Sequence, residues 1–120
     1  MNILIVDDEP DVAEVLATSL TRQGHAATVA HSGQDALRVV KESPVDAMFL
    51  DVSMPGMNGL DVLSEVRRIK PSLAVVVITG HGTEDEIEEV RRMGVIEIVT
   101  KPAALTHYQR ALTRITGPAR

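Results

Sequence analysis

Short apolar runs alternate with helical stripes of apolar residues five times along the chain. The first run, residues 3–6, ends at an acidic pair. The apolar residues after it recur at three- and four-residue intervals, as one face of a helix requires. That face carries Val12, Val15, Leu16, Ser19 and Leu20. Pro10 suits the first turn of this helix and Gly24 suits its end.

The same alternation continues to the end of the chain. It predicts further strands near residues 25–30, 47–50, 73–78 and 95–99. It also predicts helices over residues 33–42, from the N-cap Asn58 to just before Pro71, over residues 83–93, and through a final apolar stripe. That stripe consists of Leu105, Tyr108, Leu112 and Ile115.

Five strand–helix units predict an α/β fold with a five-stranded parallel sheet and helices on both faces, because parallel strands need covered crossover connections. The first, third and fourth strands are almost purely apolar, which predicts burial on both faces. The second strand has few large side chains and the fifth carries Glu97. Both strands are therefore predicted at the edges of the sheet. The expected architecture is a doubly wound (βα)₅ sheet of order 2-1-3-4-5.

Composition narrows the class of protein. The 120 residues suit one domain over 1–120, with residues 117–120 expected as a tail or linker stub. The net charge of −5 argues against nucleic-acid binding by this domain itself, and the absence of cysteine excludes disulfides. No apolar run approaches the roughly 18 residues of a membrane helix, and no basic segment precedes the first strand. We therefore expect a soluble, cytoplasmic domain.

Chemically capable side chains follow the strands at their carboxyl ends, where open α/β sheets bind ligands. Asp7 and Asp8 follow the first strand, Asp51 the third, Thr79 ends the fourth, and Lys101 follows the fifth. Taken singly, each is an ordinary turn or surface residue. Because parallel strands share one carboxyl edge, we expect all five side chains to meet there.

Three carboxylates gathered together need a cation or raised pKa values, since two of them about 4 Å apart repel by roughly 4 kcal/mol at an effective dielectric of about 20. A hard divalent ion such as Mg²⁺ takes such oxygen ligands. The set suits phosphoryl transfer, in which an aspartate can serve as the nucleophile. That role leads us to expect Asp51 to be accessible to solvent.

Along nearly its whole length the chain resembles the receiver domains of two-component response regulators, whose fold is flavodoxin-like and is shared with chemotaxis regulators. Four segments carry the resemblance, in order and at matching spacings. They are residues 3–10 (ILIVDDEP), Asp51 with residues 54–59 (MPGMNG), residues 78–82 (ITGHG), and Lys101-Pro102.

The resemblance implies a role for each site residue. Asp51 would accept a phosphoryl group from a phosphohistidine on a sensor histidine kinase or phosphotransfer protein. Asp7, Asp8, Asp51 and the backbone carbonyl of Ser53 would hold Mg²⁺. Lys101 would pair with Asp51 and then with the phosphoryl oxygens, Thr79 would move to bind the phosphoryl group, and Lys101-Pro102 would be a cis peptide.

Two positions depart from the family pattern. The family usually has Tyr or Phe three residues before the lysine, where Ile98 stands here, and often Phe after Lys-Pro, where Ala103 stands. The resemblance therefore does not imply propagation through a rotating aromatic ring, and Thr79 and Ile98 are the switch candidates. The highly charged fourth helix, with Ile87 and Val90 as its clear apolar anchors, is expected to repack on phosphorylation.

The expected output is a conformational switch that controls an effector domain or partner, or a homodimer, through the face of the fourth helix, fifth strand and fifth helix. No enzyme activity is expected beyond the domain's own phosphorylation and dephosphorylation. One alternative is a phosphatase of the haloacid-dehalogenase type, but the acid/base aspartate of that class would stand where Ser53 does. Another is a receiver-like binding module that works without phosphorylation.

Overall fold

The computed structural model of the chain describes residues 1–53, 58–80, 84–101 and 105–116. Within them, strands and helices alternate from end to end, as predicted. The strands are β1 (Asn2–Val6), β2 (Ala26–Ala30), β3 (Ala47–Asp51), β4 (Ala74–Thr79) and β5 (Glu97–Thr100). The helices are α1 (Pro10–Arg22), α2 (Gly33–Glu42), α3 (Gly59–Ile69), α4 (Glu84–Arg92) and α5 (Leu105–Thr116).

The sheet is parallel throughout and has the order β2-β1-β3-β4-β5. This confirms the predicted topology and places β2 and β5 at the edges. The register sets Asp51 beside Ile78 and Thr79 beside Thr100. The carboxyl ends of β3 and β4 therefore lie next to each other, which brings the residues after them within reach of one another.

Alternate residues of the central strands feed two separate apolar cores, because successive side chains of a strand point to opposite faces. In β3, Met48 and Leu50 enter the core that packs against α2, α3 and α4. Phe49 enters the core that packs against α1 and α5, where its ring lies 6.3 Å from that of Tyr108. The predicted burial of β1, β3 and β4 on both faces is confirmed.

Helix ends follow local sequence signals. Helix α1 begins at Pro10 as predicted. The predicted N-cap Asn58 is confirmed, since its side chain accepts the backbone N–H of Asp61 at 3.3 Å. Ser32 caps α2 in the same way by accepting the N–H of Asp35 at 3.1 Å. These caps satisfy N–H groups that have no partner within the helix.

The predicted boundaries shift by one or two residues at several strands. β5 is shorter than expected and begins at Glu97 rather than at residue 95. Ile96 already donates its N–H to the carbonyl of Val75 at 2.8 Å, so the chain reaches β4 before the regular strand begins. Strand ends vary in this way because sequence periodicity does not mark where pairing starts.

A close approach fixes the start of α3 against the end of β3. A Cβ added to Gly59 would lie 2.5 Å from the Cα of Val52 and 2.7 Å from its Cγ1. Atoms cannot approach so closely without displacement, so only glycine fits at this contact. The close approach holds the first turn of α3 beside the residue that follows Asp51.

The side chain of Arg67 connects three neighbouring elements through their backbone carbonyls. Its guanidinium donates hydrogen bonds to the carbonyls of Leu73 at 2.5 Å, Met93 at 2.7 Å and Gly94 at 3.0 Å. Burial lowers the pKa of Arg67 from its usual value. The side chain thus connects α3 to the start of β4 and to the turn between α4 and β5.

Some sequence expectations concern residues outside the described ranges. They are the loop at 54–57, residues 81–83, the Lys101-Pro102 peptide, Ala103 and the tail at 117–120. Among the described helices, none is both long and apolar enough to cross a membrane.

Candidate functional site

Three carboxylates meet at the carboxyl edge of the sheet. Asp7 and Asp8 follow β1, and Asp51 is the last residue of β3. One oxygen from each lies within 4.8 Å of the others. Asp7 and Asp51 are buried, whereas Asp8 is exposed to solvent. The structure thus brings together the acidic residues that the sequence placed at this edge.

Both oxygens of Asp51 are engaged. Oδ2 accepts a hydrogen bond from Nζ of Lys101 at 2.5 Å. Oδ1 accepts the N–H of Ser53 at 2.9 Å and its hydroxyl at 2.8 Å. Such charge-assisted bonds are roughly twice as strong as neutral ones. They compensate a carboxylate that would otherwise be costly to bury.

The expectation that Asp51 is accessible to solvent is wrong. Its relative exposure is 1%, because Lys101 and Ser53 occupy its two oxygens and the strand end is buried. The exposed side of the cluster is provided by Asp8 and Ser53. Among the described residues, Lys101 and Ser53 are the ones that contact the Asp51 oxygens.

Burial is the largest influence on Asp7, which is 1% exposed, and it raises the pKa of this carboxyl. The charges of Asp51 and Glu9 raise the pKa further. Two favourable contacts work against that rise: the Glu9 N–H, which Asp7 Oδ1 accepts at 2.9 Å, and the charge of Lys101. The raised pKa means that folding favours the neutral form of the Asp7 carboxyl over the ionised form.

Lys101 lies opposite the acidic cluster. Burial alone would lower the pKa of its ammonium group, but the hydrogen bond and charge of Asp51 outweigh that effect and raise it, with help from Asp7 and Glu9. Its Nζ also lies 3.7 Å from Oε1 of Glu9. Its backbone N–H donates to the carbonyl of Thr79 at 2.8 Å, which ties the end of β5 to the end of β4.

The side chain of Ser53 makes a contact that sequence reasoning missed. Its Oγ donates to Asp51 and accepts the N–H of Gly80 at 3.1 Å. Only the backbone carbonyl of Ser53 was assigned a role from the sequence. No local pattern signals the hydroxyl contact, since Gly80 lies 27 positions away in the chain.

Thr79 and Ile98 line a cavity of about 330 Å³ between β4, β5, α3 and α4. Val52, Val77, Ile87 and Val90 also line it. Thr79 is 4% exposed, and Ile98 is half-buried against the core on this face. The cavity therefore leaves room for the side chains behind the site to move.

The donor set fits a hard divalent cation. It consists of carboxylate oxygens, which hard cations prefer, and it contains no sulfur ligand because the chain has no cysteine. A cation would also offset the burial of the Asp7 carboxylate and its repulsion by Asp51, which together raise the pKa of Asp7. The residues present can therefore hold such an ion.

Comparison with known proteins identifies the family. The response regulator receiver domain profile matches residues 3–113. The chain belongs to the response regulator receiver family. As a receiver domain, it is a part of two-component signal transduction systems, and the phosphatase reading is not favoured.

Curated relatives of this receiver are longer proteins. A response regulator receiver protein of Anaeromyxobacter is 41% identical over 102 residues, covering 85% of this chain and 43% of the relative. The transcriptional regulatory protein MalR of Bacillus subtilis is 34% identical over 115 residues, covering 94% of this chain and 49% of the relative. GlrR of Escherichia coli is 32% identical, covering 84% of this chain and 23% of the relative. The receiver thus spans less than half the length of these relatives.

Solved structures share the fold of this receiver. The non-phosphorylated HemR receiver domain of Leptospira biflexa superposes with a TM-score of 0.90 at 23% identity, covering 99% of this chain and 96% of that one. A response regulator from Burkholderia pseudomallei has a TM-score of 0.84 at 25% identity, covering 96% and 68% of the two chains. That crystal structure contains a phosphorylated aspartic acid, a calcium ion and citrate.

Proposed function

We propose that this receiver accepts a phosphoryl group on Asp51 from a phosphohistidine of a sensor histidine kinase or phosphotransfer protein, in the presence of Mg²⁺. The observation that carries the proposal is the meeting of Asp7, Asp8 and Asp51 within 4.8 Å of one another, with Lys101 bonded to Asp51. The phosphorylated aspartate in the Burkholderia regulator supports it.

In the proposed reaction, a carboxylate oxygen of Asp51 attacks the phosphorus atom. The new O–P bond replaces the N–P bond of the phosphohistidine, and the histidine leaves as neutral imidazole because its other ring nitrogen carries the proton. The protein contributes mainly position and charge, which dominate catalysis of phosphoryl transfer. The domain catalyses only its own phosphorylation and dephosphorylation, as suits a signalling domain.

Asp7, Asp8, Asp51 and the carbonyl of Ser53 would hold the Mg²⁺ ion. When bound, the ion neutralises charge on the phosphoryl oxygens and on the gathered carboxylates. The calcium ion in the Burkholderia structure supports a divalent cation in this kind of site. Mg²⁺ typically takes one or two carboxylates together with waters and phosphate oxygens, so the three carboxylates would hold it partly directly and partly through water.

The ammonium group of Lys101 neutralises Asp51 before the reaction. It would then pair with the phosphoryl oxygens. Thr79, at the adjacent strand end, would provide a hydroxyl to bind the phosphoryl oxygens, and Ile98 lines the same cavity. These two residues form the proposed switch.

The proposed output is a change in α4 and β5. Val90 is the fully buried residue of the described part of α4, and Ile87 is half-buried. Few buried contacts make rearrangement of such a helix inexpensive. The α4–β5–α5 face would then act on an effector domain, a partner or a second copy in the cytoplasm. Relatives that are transcriptional regulators support an effector domain outside residues 1–120.

The test is labelling by a ³²P-phosphohistidine donor or by acetyl phosphate with Mg²⁺. Asp51→Asn is expected to abolish labelling, because the amide cannot act as the nucleophile. The matched control Asp11→Asn, an exposed carboxylate on α1, is expected to label like the wild type. Stoichiometric labelling of Asp51→Asn would contradict the assignment. A wild-type chain that accepts no label from any donor would instead favour a phosphorylation-independent binding module.

A further inference from the structure

The ion pair of the site lies at the end of the core between the sheet, α1 and α5. Successive residues of a strand point to opposite faces, so a residue two positions further on continues the same row of side chains. Asp51 continues the row of Phe49, and Lys101 continues the row of Val99. Phe49 and Val99 are both buried in this core. The pair of Asp51 and Lys101 therefore stands directly beyond its apolar side chains.

Tyr108 brings a hydroxyl group into this core. The residue is 6% exposed, and its ring lies 6.3 Å from the ring of Phe49. The other buried residues of the core are Ala, Val, Ile, Leu or Phe, which have no polar side-chain atom. Tyr108 stands in the first turn of α5, shortly after Lys101 in the chain. Among the described residues buried in this core, it is the one whose side chain can form a hydrogen bond.

The charges that act on the Tyr108 hydroxyl show which end of the core it faces. Burial is the largest influence and raises the pKa of the phenol, so the hydroxyl is neutral at pH 7. Among the charges, that of Lys101 acts most strongly and lowers the pKa. The charges of Asp7, Asp51 and Glu9 raise it. Because charge effects fall off with distance, the hydroxyl lies at the end of the core that carries the site.

The ammonium group of Lys101 has a donor to spare. An ammonium group carries three N–H donors. One binds Oδ2 of Asp51, and Oε1 of Glu9 lies 3.7 Å from Nζ on the solvent side. None of the described residues forms a hydrogen bond with the Tyr108 hydroxyl, and none of their side-chain oxygens is both unpaired and fully buried. Water therefore reaches the hydroxyl, and a bridging water is nearly as favourable as a direct hydrogen bond.

We infer that Tyr108 is a positioning residue of the site, whose hydroxyl is joined to the Lys101 ammonium group by a shared water molecule and holds that group against Asp51. The inference rests on the proposed role of Lys101 in phosphoryl transfer. The phenol is neutral, so its contact with the ammonium group does not depend on the charge of Asp51. Lys101 would keep this partner while it exchanges the carboxylate for phosphoryl oxygens.

The experiment follows the lysine ammonium groups by ¹H–¹⁵N NMR at low temperature, in EDTA and without a phosphoryl donor. The chain has three lysines, so Lys41 and Lys70 are internal references for Lys101. Tyr108→Phe removes the hydroxyl and keeps the ring, whereas Tyr108→Leu removes both. Thr113→Val removes an exposed hydroxyl from the same helix and is the matched control.

In Tyr108→Phe, the ammonium protons of Lys101 are expected to exchange with water about 5-fold faster than in the wild type. That is the change that loss of one net hydrogen bond of about 1 kcal/mol produces. Thr113→Val is expected to match the wild type. Tyr108→Leu should show the same Lys101 exchange as Tyr108→Phe but a lower midpoint of urea unfolding, because it also loses the packing of the ring. Exchange at Lys101 would thus follow the hydroxyl, and stability would follow the ring.

Three results would overturn the inference. The first is Lys101 exchange in Tyr108→Phe equal to that of the wild type. The second is an equal rise at Lys41 and Lys70, which would show a general loosening of the chain. The third is Lys101 exchange in the wild type as fast as that of the exposed Lys41. These measurements need neither Mg²⁺ nor a donor, so a chain that passes them and accepts no label would count against the proposed function alone.

Discussion

Replacing Asp7 by Asn should stabilise the protein against unfolding. It should also abolish the further stabilisation that Mg²⁺ binding gives the wild type. Asn keeps the shape of the side chain and an oxygen to accept the Glu9 N–H, which Asp7 binds at 2.9 Å. It removes one negative charge from a residue whose pKa is raised chiefly by burial. Keeping this carboxylate ionised at neutral pH lowers the free energy of unfolding of the wild type. The variant has no charge at this position and avoids that loss.

The size of the effect depends on the burial of Asp7 and on the charges around it. Asp7 and Asp51 have oxygens within 4.8 Å of each other. Two unit charges at such a distance repel by about 3.5 kcal/mol at an effective dielectric of about 20, and by about 0.9 kcal/mol in bulk water. Attraction between Asp7 and Lys101 is the larger of the two charge effects, so the net cost of the ionised form comes mainly from burial of the carboxylate. We expect Asp7→Asn to raise the free energy of unfolding by about 1–2 kcal/mol at pH 7 without divalent cations.

The pH dependence has a definite sign. The pKa of Asp7 in the folded chain is raised above its unfolded value. The contribution of Asp7 to the free energy of unfolding is therefore most favourable when its carboxyl is protonated. That contribution is lost as the pH rises through the pKa of Asp7 in the folded chain. The advantage of Asp7→Asn should shrink as the pH falls through that range and should disappear once the carboxyl is protonated in both states.

Urea unfolding at pH 7, with EDTA and with Mg²⁺, measures both effects. The wild type should gain about 2.7 kcal/mol when Mg²⁺ is at 100 times its Kd, whereas Asp7→Asn should gain little. Glu14→Gln removes an exposed charge from α1 and controls for the change in net charge. The reasoning fails if Asp7→Asn is no more stable than the wild type in EDTA. It also fails if Glu14→Gln is stabilised equally.

Two further predictions concern packing away from the cluster. Arg67→Met leaves the carbonyls of Leu73, Met93 and Gly94 without the guanidinium. It should lower the free energy of unfolding in urea by about 1–3 kcal/mol; a loss no larger than that of Arg68→Met would contradict this. Gly59→Ala should destabilise by about 1–3 kcal/mol because the added methyl overpacks the contact with β3. A glycine in a helix with free space around it would be stabilised by replacement with alanine. Increased stability of Gly59→Ala would therefore show that the contact between α3 and the end of β3 can relax.

Much of the fold could be predicted because the signals are local. Burial on both faces makes β3 a continuous apolar run, and Asn58 is a cap whose partner is three residues away. Convergence of the acidic residues could also be predicted. It follows from parallel strands alone, since each aspartate stands at the carboxyl end of its strand.

The details of the site depend on contacts between distant residues. Asp51 is buried because Lys101, 50 positions away, lies against it. The hydroxyl of Ser53 could equally have faced solvent, and only the position of Gly80 gives it a second partner. Arg67, in the last turn of an amphipathic helix, has the pattern of a solvent-facing residue. Such contacts are fixed by how whole elements pack together, which no short segment records.

The covering of Asp51 by Lys101 has a consequence for which reagents can react there. If Asp51 is the proposed nucleophile, water or another neutral molecule competes less well than the carboxylate for the ammonium group, so Lys101 stays bonded to Asp51. An incoming phosphoryl group carries its own negative oxygens and can draw the ammonium group towards itself. In the proposed reaction, the same side chain would therefore both cover the aspartate and favour reagents that bring negative oxygens of their own.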